Sequence, residues 1–515
     1  MFLKSWIAIM IVPLGIFGSG ALAAAAELKL DSKLLDRGKT VFDRQCAVCH
    51  GLSGRGDGKA AYLLFPQPRD FTSQMFKLRS TPEGEPPIRG DILRTLKRGI
   101  PGSAMPSYGS LSEGDRRALA EYVMALAKFE ETPEETLKIP PVPPATKASV
   151  KRGKFLYGEF GCNECHGPKG DGKGTSAAGM KDNKGRPILP NDFTRGVFKG
   201  GGDPKSVMTR FMTGMDGTPM PSFSESAKPD QLVALTQYVL SLSKGREVKQ
   251  PGTGILSALR VSKLPRKPAD RRWNQVKPAI IPMMHLHNDG RLPLSIAVRA
   301  VHDGKRLSVL VEWTDASRDT KAQTITMFAD AAAVQYSLRA KNPPLFTMGM
   351  RGDPVNIWFW NAAAARGPST VEAKYPGMAV DDYPFAGKVY PRRKMGPPKA
   401  IVSARMTKPP FITAWAVKNP ISAPGRSRGV MDLNAEGFGT LQPQGPKGQN
   451  VTGSGRWANG KWRVVFTRSL KSADEGDVGL LPGSLRPIGF ALWDGSRRDR
   501  NGQKSVTTWY SLRVQ

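Results

Sequence analysis

Apolar residues recur with a helical period at two places in the first half of the chain. Leu119, Tyr122, Val123 and Leu126 fall at i, i+3, i+4 and i+7, and Leu235, Tyr238, Val239 and Leu242 repeat the spacing, which puts an apolar stripe on one face of a helix. Ser112, with Asp115 three residues on, caps the first of these helices. Each is preceded by another helix-like stretch carrying a glycine and an aromatic, Gly38 with Phe42 and Gly153 with Phe155. From about Leu264 the period changes to two. Leu294 to Val298, Leu307 to Trp313 and Trp462 to Phe466 alternate, with Asp303-Gly304 and Asp494-Gly495 among the turns between strands. Many short strands so spaced predict a mainly antiparallel β-sandwich. The fold class expected is therefore multidomain, two all-α units followed by a β-sandwich.

The start of the chain sets the compartment. Lys4 precedes an apolar run from Trp6 to Phe17, and the stretch then narrows to small residues from Ala21 to Ala26. That is the pattern of a secretory signal over residues 1–26. The alternative is an uncleaved anchor, which Pro13, Gly15, Gly18 and Gly20 weaken as a spanning helix. No later segment approaches 18 consecutive apolar residues, so a mature chain without a transmembrane span is expected in the periplasm, where nucleic acid is not a partner.

The four cysteines decide the chemistry. They form two copies of one pattern, Cys46-Ala47-Val48-Cys49-His50 and Cys162-Asn163-Glu164-Cys165-His166, the attachment site of a c-type haem. Two thiols three residues apart can each form a thioether to one haem edge, and the adjacent histidine puts an imidazole beneath the iron. A disulfide or zinc reading would leave the paired histidines unexplained. A second axial ligand is supplied by Met105 in Ser103-Ala104-Met105-Pro106-Ser107-Tyr108 and by Met220 in Thr218-Pro219-Met220-Pro221-Ser222-Phe223, 55 and 54 residues after the histidines. Met215 is the alternative in the second site. His/Met ligation closes both faces of the iron, which suits electron transfer rather than chemistry at the metal.

These motifs belong to an internal repeat with His50 and His166 in register. Both copies contain Gly-Asp-Gly-Lys (Gly56 to Lys59, Gly170 to Lys173) and then Asp-Phe-Thr (Asp70 to Thr72, Asp192 to Thr194). The shared pattern resembles class I cytochrome c over residues 30–128 and 148–244. Between them, residues 129–147 hold Pro133, Pro140, Pro141, Pro143 and Pro144 and read as a stiff extended linker. A second linker is placed at 245–261 and the β domain at 262–515.

Five stretches of that last domain, in order, are Val311 to Asp315, Phe346 to Met350, Pro354 to Trp360, Ala435 to Thr440 and Ala491 to Gly495. Together they resemble the haem-b-binding gamma subunits of the ethylbenzene dehydrogenase and dimethyl sulfide dehydrogenase type of molybdenum enzymes. Similar domains occur in gamma subunits of chlorate, selenate and nitrite-oxidising relatives. The resemblance implies a β-rich domain that holds one haem b between a methionine and a lysine and exchanges electrons with an iron–sulfur subunit. Met348 occupies the family's methionine position, with Met350 as its rival. Lys418 and Lys447 are the lysine candidates; the alternatives are a bis-imidazole site using His285, His287 or His302, or a domain without haem. A lysine ligand has to be neutral, which requires burial. The tryptophans at 358, 360, 457, 462, 493 and 509 are expected in a core or at a haem edge.

Composition narrows the partner. Of 515 residues 39% are apolar, enough for packed cores, and four cysteines are too few for a disulfide scaffold. The net charge is +32, and most of the excess lies after residue 250. The C-terminal domain should therefore dock an acidic redox protein, or the molybdenum and iron–sulfur subunits of an oxidoreductase. There is no nucleotide-binding glycine fingerprint, His-Glu-x-x-His or triad pattern, and Arg351-Gly352-Asp353 is an ordinary turn tripeptide. The function expected is a periplasmic electron-transfer subunit with two haems c and one haem b. A dihaem peroxidase, which would need an open sixth position, and a binding module for a carbohydrate, surface or protein with tethered cytochromes are the alternatives.

Overall fold

The computed structural model describes residues 26–27, 31–129, 131–133, 136–246, 248, 252–291, 294–321, 326–366 and 429–515. The helical half consists of two copies of one arrangement. The first contains α1 (Ser32–Gln45), α2 (Ala47–His50), α3 (Arg89–Arg98) and α4 (Glu113–Ala127). The second contains α5 (Lys147–Glu159), α6 (Cys162–His166), α7 (Pro204–Thr213) and α8 (Pro229–Ser241).

The apolar stripes close each copy by packing its first helix on its last. At the crossing a side chain on Gly38 would collide with the carbonyl oxygen of Ala118 and lie 2.8 Å from Tyr122 Cβ. Gly153 stands in the same relation to Ala234 and Tyr238. Four residues beyond each glycine, Phe42 and Tyr157 enter the cores with Leu119, Val123, Leu235 and Val239. Phe155, the aromatic paired with Gly153 in the sequence pattern, is 66% exposed, because it lies only two positions from Gly153 and so on another face of the helix. Ser112 Oγ accepts from Asp115 N at 3.0 Å, capping α4.

Among the described residues of the C-terminal half, thirteen strands form one sheet. They are β3 (Ile255–Arg260), β4 (Ala279–His285), β5 (Leu294–His302), β6 (Arg306–Thr314), β7 (Ala331–Ser337), β8 (Val355–Asn361) and β9 (Val430–Ala435). After these come β10 (Gln442–Pro443), β11 (Thr452–Ala458), β12 (Lys461–Ser469), β13 (Leu485–Trp493), β14 (Ser505–Val506) and β15 (Tyr510–Val514). Two short strands outside it, β1 (Ala26–Glu27) and β2 (Glu131–Thr132), pair with each other. The order is β10-β9-β8-β7-β13-β14-β4-β5-β6-β12-β11, with β15 and β3 bridging β13 to β5. Pairing is antiparallel except β15–β3 and β3–β5. The stretch read as a linker at 245–261 thus already contributes a strand.

The sheet folds over so that β11 and β12 face β8. Trp360 packs edge-on against Trp462 with centroids 5.0 Å apart, and Trp358 and Trp313 join the same core. Successive side chains of a strand point to opposite faces, so Ile357 and Phe359 leave the sandwich and join an outer cluster with Met348, Trp493 and Trp509. Inside the sandwich lies a polar network. Asn356 Nδ2 donates to Asp432 Oδ1 at 2.6 Å, Trp358 Nε1 donates to Asn356 Oδ1 at 3.1 Å, and buried Arg468 pairs with Asp477 at 3.2 Å.

Specific contacts join the parts. Phe65 N donates to Leu286 O at 3.1 Å and Asn288 N donates to Phe65 O at 2.8 Å, and Asp353 is shared by Arg44 and Arg339. Asp353 is 5% exposed, so the acid of the Arg-Gly-Asp triplet is an internal joint, while Arg351 and Gly352 are exposed. Between the helical copies, buried Arg79 reaches Thr213 O and Asp216, both at 2.9 Å, and Arg210 Nη1 donates to Lys77 O at 2.9 Å. The proline-rich segment is extended but attached: Leu137 N donates to Ser80 O at 2.8 Å, and Gln237 Nε2 donates to Pro143 O at 2.7 Å.

Candidate functional site

Each Cys-x-x-Cys-His motif is a short helix held by the loop after it. His50 Nδ1 lies 2.9 Å from Arg69 O, and His166 Nδ1 lies 3.0 Å from Asn191 O. Nδ1–H donating to that carbonyl fixes the tautomer and leaves Nε2 with its lone pair for a metal. Burial pushes both imidazoles below their ordinary pKa, which favours the neutral form that a metal ligand needs. The accepting carbonyls immediately precede the Asp-Phe-Thr copies, and this explains the motif. Asp70 Oδ1 accepts from Thr72 N and Oγ1 at 2.9 and 2.6 Å, and Asp192 does so from Thr194 at 3.0 and 2.6 Å. The phenylalanine between them stacks on the histidine, Phe71 on His50 at 4.6 Å and Phe193 on His166 at 4.5 Å. The four cysteines form no disulfide, and burial pushes Cys49 and Cys162 up to about 11.

The glycine-rich loops correspond differently from the tetrapeptide match. Gly56 N donates to His50 O and Gly172 N to His166 O, both at 2.8 Å, so Gly56 corresponds to Gly172 and the two Gly-Asp-Gly-Lys strings are offset by two residues. The shared feature is glycine at alternate positions, not the tetrapeptide.

The methionine loops superimpose bond for bond. Ile100 N donates to Met105 O and Met215 N to Met220 O, both at 3.0 Å. Ser103 Oγ and Thr218 Oγ1 each donate to the base of the loop at 2.7 Å. Met215 therefore occupies the place of Ile100, a residue with no ligating atom, and Met220 the place of Met105. Met105 lines a cavity with Cys46, Cys49 and His50, and Met220 one with Cys162, Cys165 and His166. Two thiols, a neutral imidazole and a thioether around each cavity fit a covalent haem.

The first of these cavities extends onto the outer face of the β domain and reaches about 1300 Å³, above the roughly 300–1,000 Å³ of a single ligand site. Its floor there is made of small residues, Ala331, Ala333, Gly489 and Ala491, with Phe346, Phe359 and Trp493 as walls. Met348 and Lys504 both enter it, with Lys504 Nζ 3.5 Å from Met348 Sδ and 4.9 Å from the Trp493 ring. Burial pushes Lys504 down to about 8, toward the neutral amine that a metal requires. Met348 sits at φ 75°, a conformation that a non-glycine residue adopts only under constraint. Its carbonyl accepts from Gly437 N at 2.9 Å, so the Ala435-to-Thr440 turn holds it in place. A flat floor of small side chains with a thioether and a weakly basic amine fits a non-covalent haem.

The family comparison agrees with this division. Residues 35–127 and 150–243 match the cytochrome c family, and residues 270–505 match the ethylbenzene dehydrogenase family. The chain carries two cytochrome c domains and one ethylbenzene dehydrogenase-type domain. A chlorate reductase gamma subunit from Ideonella dechloratans is 27% identical over 42% of this chain and 64% of its own length. A protein named as a respiratory nitrate reductase haem subunit, from Haloferax mediterranei, is 24% identical over 48% of this chain and 67% of its own. This chain thus spans about two thirds of the length of both relatives. A reducing HAO-like protein complex of Kuenenia stuttgartiensis is 38% identical over 42% of this chain and 99% of that one, with a TM-score of 0.39. The domain content makes this a multihaem electron-transfer protein.

In the ethylbenzene dehydrogenase-type domain the remaining candidates fall elsewhere. Met350 makes a backbone bridge with Asp353 and does not line the cavity. Lys447 is exposed on a 3-10 turn at Pro446–Gly448, and Lys418 lies outside the described residues. His285, His287 and His302 do not line this cavity; His285 Nδ1 lies 2.7 Å from Ser505 Oγ. Lys504 was not among the lysines singled out. One signal pointed to it: it is the sole lysine after Lys471, nine residues beyond the last family-like stretch.

Proposed function

We propose that this chain carries two covalent haems c and one haem b and relays electrons between an oxidoreductase and a redox partner. Cys46, Cys49, His50 and Met105 hold the first haem c, and Cys162, Cys165, His166 and Met220 the second. Met348 and Lys504 hold haem b. Iron bound at these sites gains and loses one electron at a time. The chain's own part is to keep His50 and His166 neutral and oriented, to offer the thioethers of Met105 and Met220, and to hold Lys504 buried near its amine form; these groups would bind the iron.

The observation that carries this reading is continuity. Met105, Cys49 and His50 share one cavity with Met348 and Lys504, and Met105 also lines the cavity of His166 and Met220. The order is therefore second cytochrome site, first cytochrome site, β-domain site. A pyridine haemochrome assay of the purified chain should give two haems c and one haem b. Met348→Ala should remove the b component alone, and unchanged spectra and potentials in that variant would refute the assignment.

The oxidoreductase is taken to be a molybdenum and iron–sulfur enzyme, a reading supported by the ethylbenzene dehydrogenase-type domain and the chlorate reductase gamma relative. The secretory pattern of residues 1–26 puts the encounter in the periplasm, and no helix among the described residues is long and apolar enough to cross a membrane. The basic C-terminal half favours an acidic face on the partner, with association weakening as salt rises.

A further inference from the structure

Two lysines at corresponding places in the repeat meet where the cytochrome domains join. Lys77 follows Asp70 by seven residues and Lys199 follows Asp192 by seven. In both copies the preceding phenylalanine stacks on the one that covers the histidine, Phe76 on Phe71 and Phe198 on Phe193, each at 5.9 Å. The repeat thus delivers each lysine to the edge of its own cavity. The interface then does something the repeat alone would not: Lys77 and Lys199 both line both cavities.

Neither ammonium forms a hydrogen bond or ion pair among the described residues. The acids nearby are already engaged. Asp70 is taken by Lys184 and Thr72, Asp216 by Arg79, and Asp182 by the backbone N–H groups of Lys184 and Arg186. Burial, with Arg69 and Lys199 beside it, pushes Lys77 down to about 7, and burial pushes Lys199 down as well. Two lysines whose protonated forms have no counter-charge, both facing two cavities, would be held as cations by anions inside those cavities. Carboxylates are the anions that a haem brings.

We propose that Lys77 and Lys199 form one shared cationic seat for the propionates of both haems c, so that each haem is tuned by lysines of both domains. The inference rests on the two haem c sites proposed above. A cation near the iron favours the reduced form, which carries one positive charge less. Removing either lysine should therefore lower both reduction potentials, not only that of its own domain.

The test is a spectroelectrochemical titration of the full haem-loaded chain with Lys77→Gln or Lys199→Gln. The wave of each haem c is identified by its displacement in Met105→His and Met220→His. Both haem c waves should move to lower potential in each single lysine variant, and Lys77→Arg should restore them. A shift confined to the haem of the substituted domain, or no shift, overturns the proposal. If a Gln variant does not accumulate as a dihaem c protein, the unsubstituted chain still decides, because its resonance Raman propionate bending band must shift in D2O and an unshifted band overturns the proposal. Fewer than two haems c in the unsubstituted chain would sink the haem assignment instead, so the two failures are distinguishable.

Discussion

Lys504→Leu should have opposite effects on haem b and on the polypeptide. Lys504 is pushed from 10.5 down to about 8 by burial. At 1.36 kcal/mol for each tenfold change in proton affinity, that fall corresponds to about 3 kcal/mol. The sign follows from proton counting. Between about pH 8 and 10.5 the unfolded chain holds the proton and the folded chain does not, so stability rises with pH across that window; below pH 8 both are protonated and the full penalty applies. Leucine removes the charge and keeps an apolar stem beside Trp493 and Met348. At pH 7 the haem-b-free variant should therefore be more stable than the haem-b-free parent, by about 1–3 kcal/mol, while losing the amine that would hold the metal. Denaturant unfolding of both proteins at pH 7, with haem c and haem b counted separately, measures the two effects. One haem b per chain in Lys504→Leu, with an unaltered reduced spectrum, refutes Lys504 as ligand, and a fall in stability of the haem-b-free form refutes the burial argument.

Two other substitutions test the frame around the sites. Gly38→Ala and Gly153→Ala each force a methyl onto a helix carbonyl, and each should lower stability by about 1–3 kcal/mol as overpacking does; thermal unfolding at or above the parental midpoint would contradict the close crossing. Asp432 is pushed up to about 8 by burial, with Asp477 beside it, so its contribution is present below pH 4 and lost as pH rises through 8. Asp432→Asn should flatten that decline and stabilise the protein at pH 9, and an unchanged pH profile of unfolding would count against a neutral carboxyl in the network.

What the sequence revealed follows the range of each interaction. The helix pairs and the proposed haem c residues were legible because each depends on short patterns repeated twice, so that the loops of Met105 and Met220 mirror each other. The proposed β-domain pair was half legible. Met348 stands in a recognisable stretch, but its partner lies 156 residues further on, and only the sheet order β7-β13-β14 brings Lys504 opposite. Short motifs also misled where composition outran geometry. The Gly-Asp-Gly-Lys strings matched letter for letter yet sit two positions out of register, since their role is to return N–H groups to the histidine carbonyls. Phe155 was chosen for its aromatic ring, whereas helical spacing from Gly153 assigns the core position to Tyr157.

The two faces of β7 meet different surroundings. Ala332, Val334 and Tyr336 point into the sandwich, while Ala331, Ala333 and Gln335 line the cavity beside Met348. Adjacent alanines on one strand therefore face different things, a packed core and a site for a flat ligand. In the core an added isopropyl group has nowhere to go, so Ala332→Leu should cost about 1–3 kcal/mol and leave haem b content unchanged in whatever fraction folds. At Ala333 the same group would project into open volume over the floor of the site. Ala333→Leu should fold with near-parental stability and fail to retain haem b, because the added side chain occupies the plane that Ala333, Gly489 and Ala491 leave clear. Denaturant unfolding and haem counting on the two variants separate the cases. A pair in which Ala333→Leu keeps haem b and Ala332→Leu loses it would show that the strand register, and with it the placement of the site on the outer face, had been read backwards.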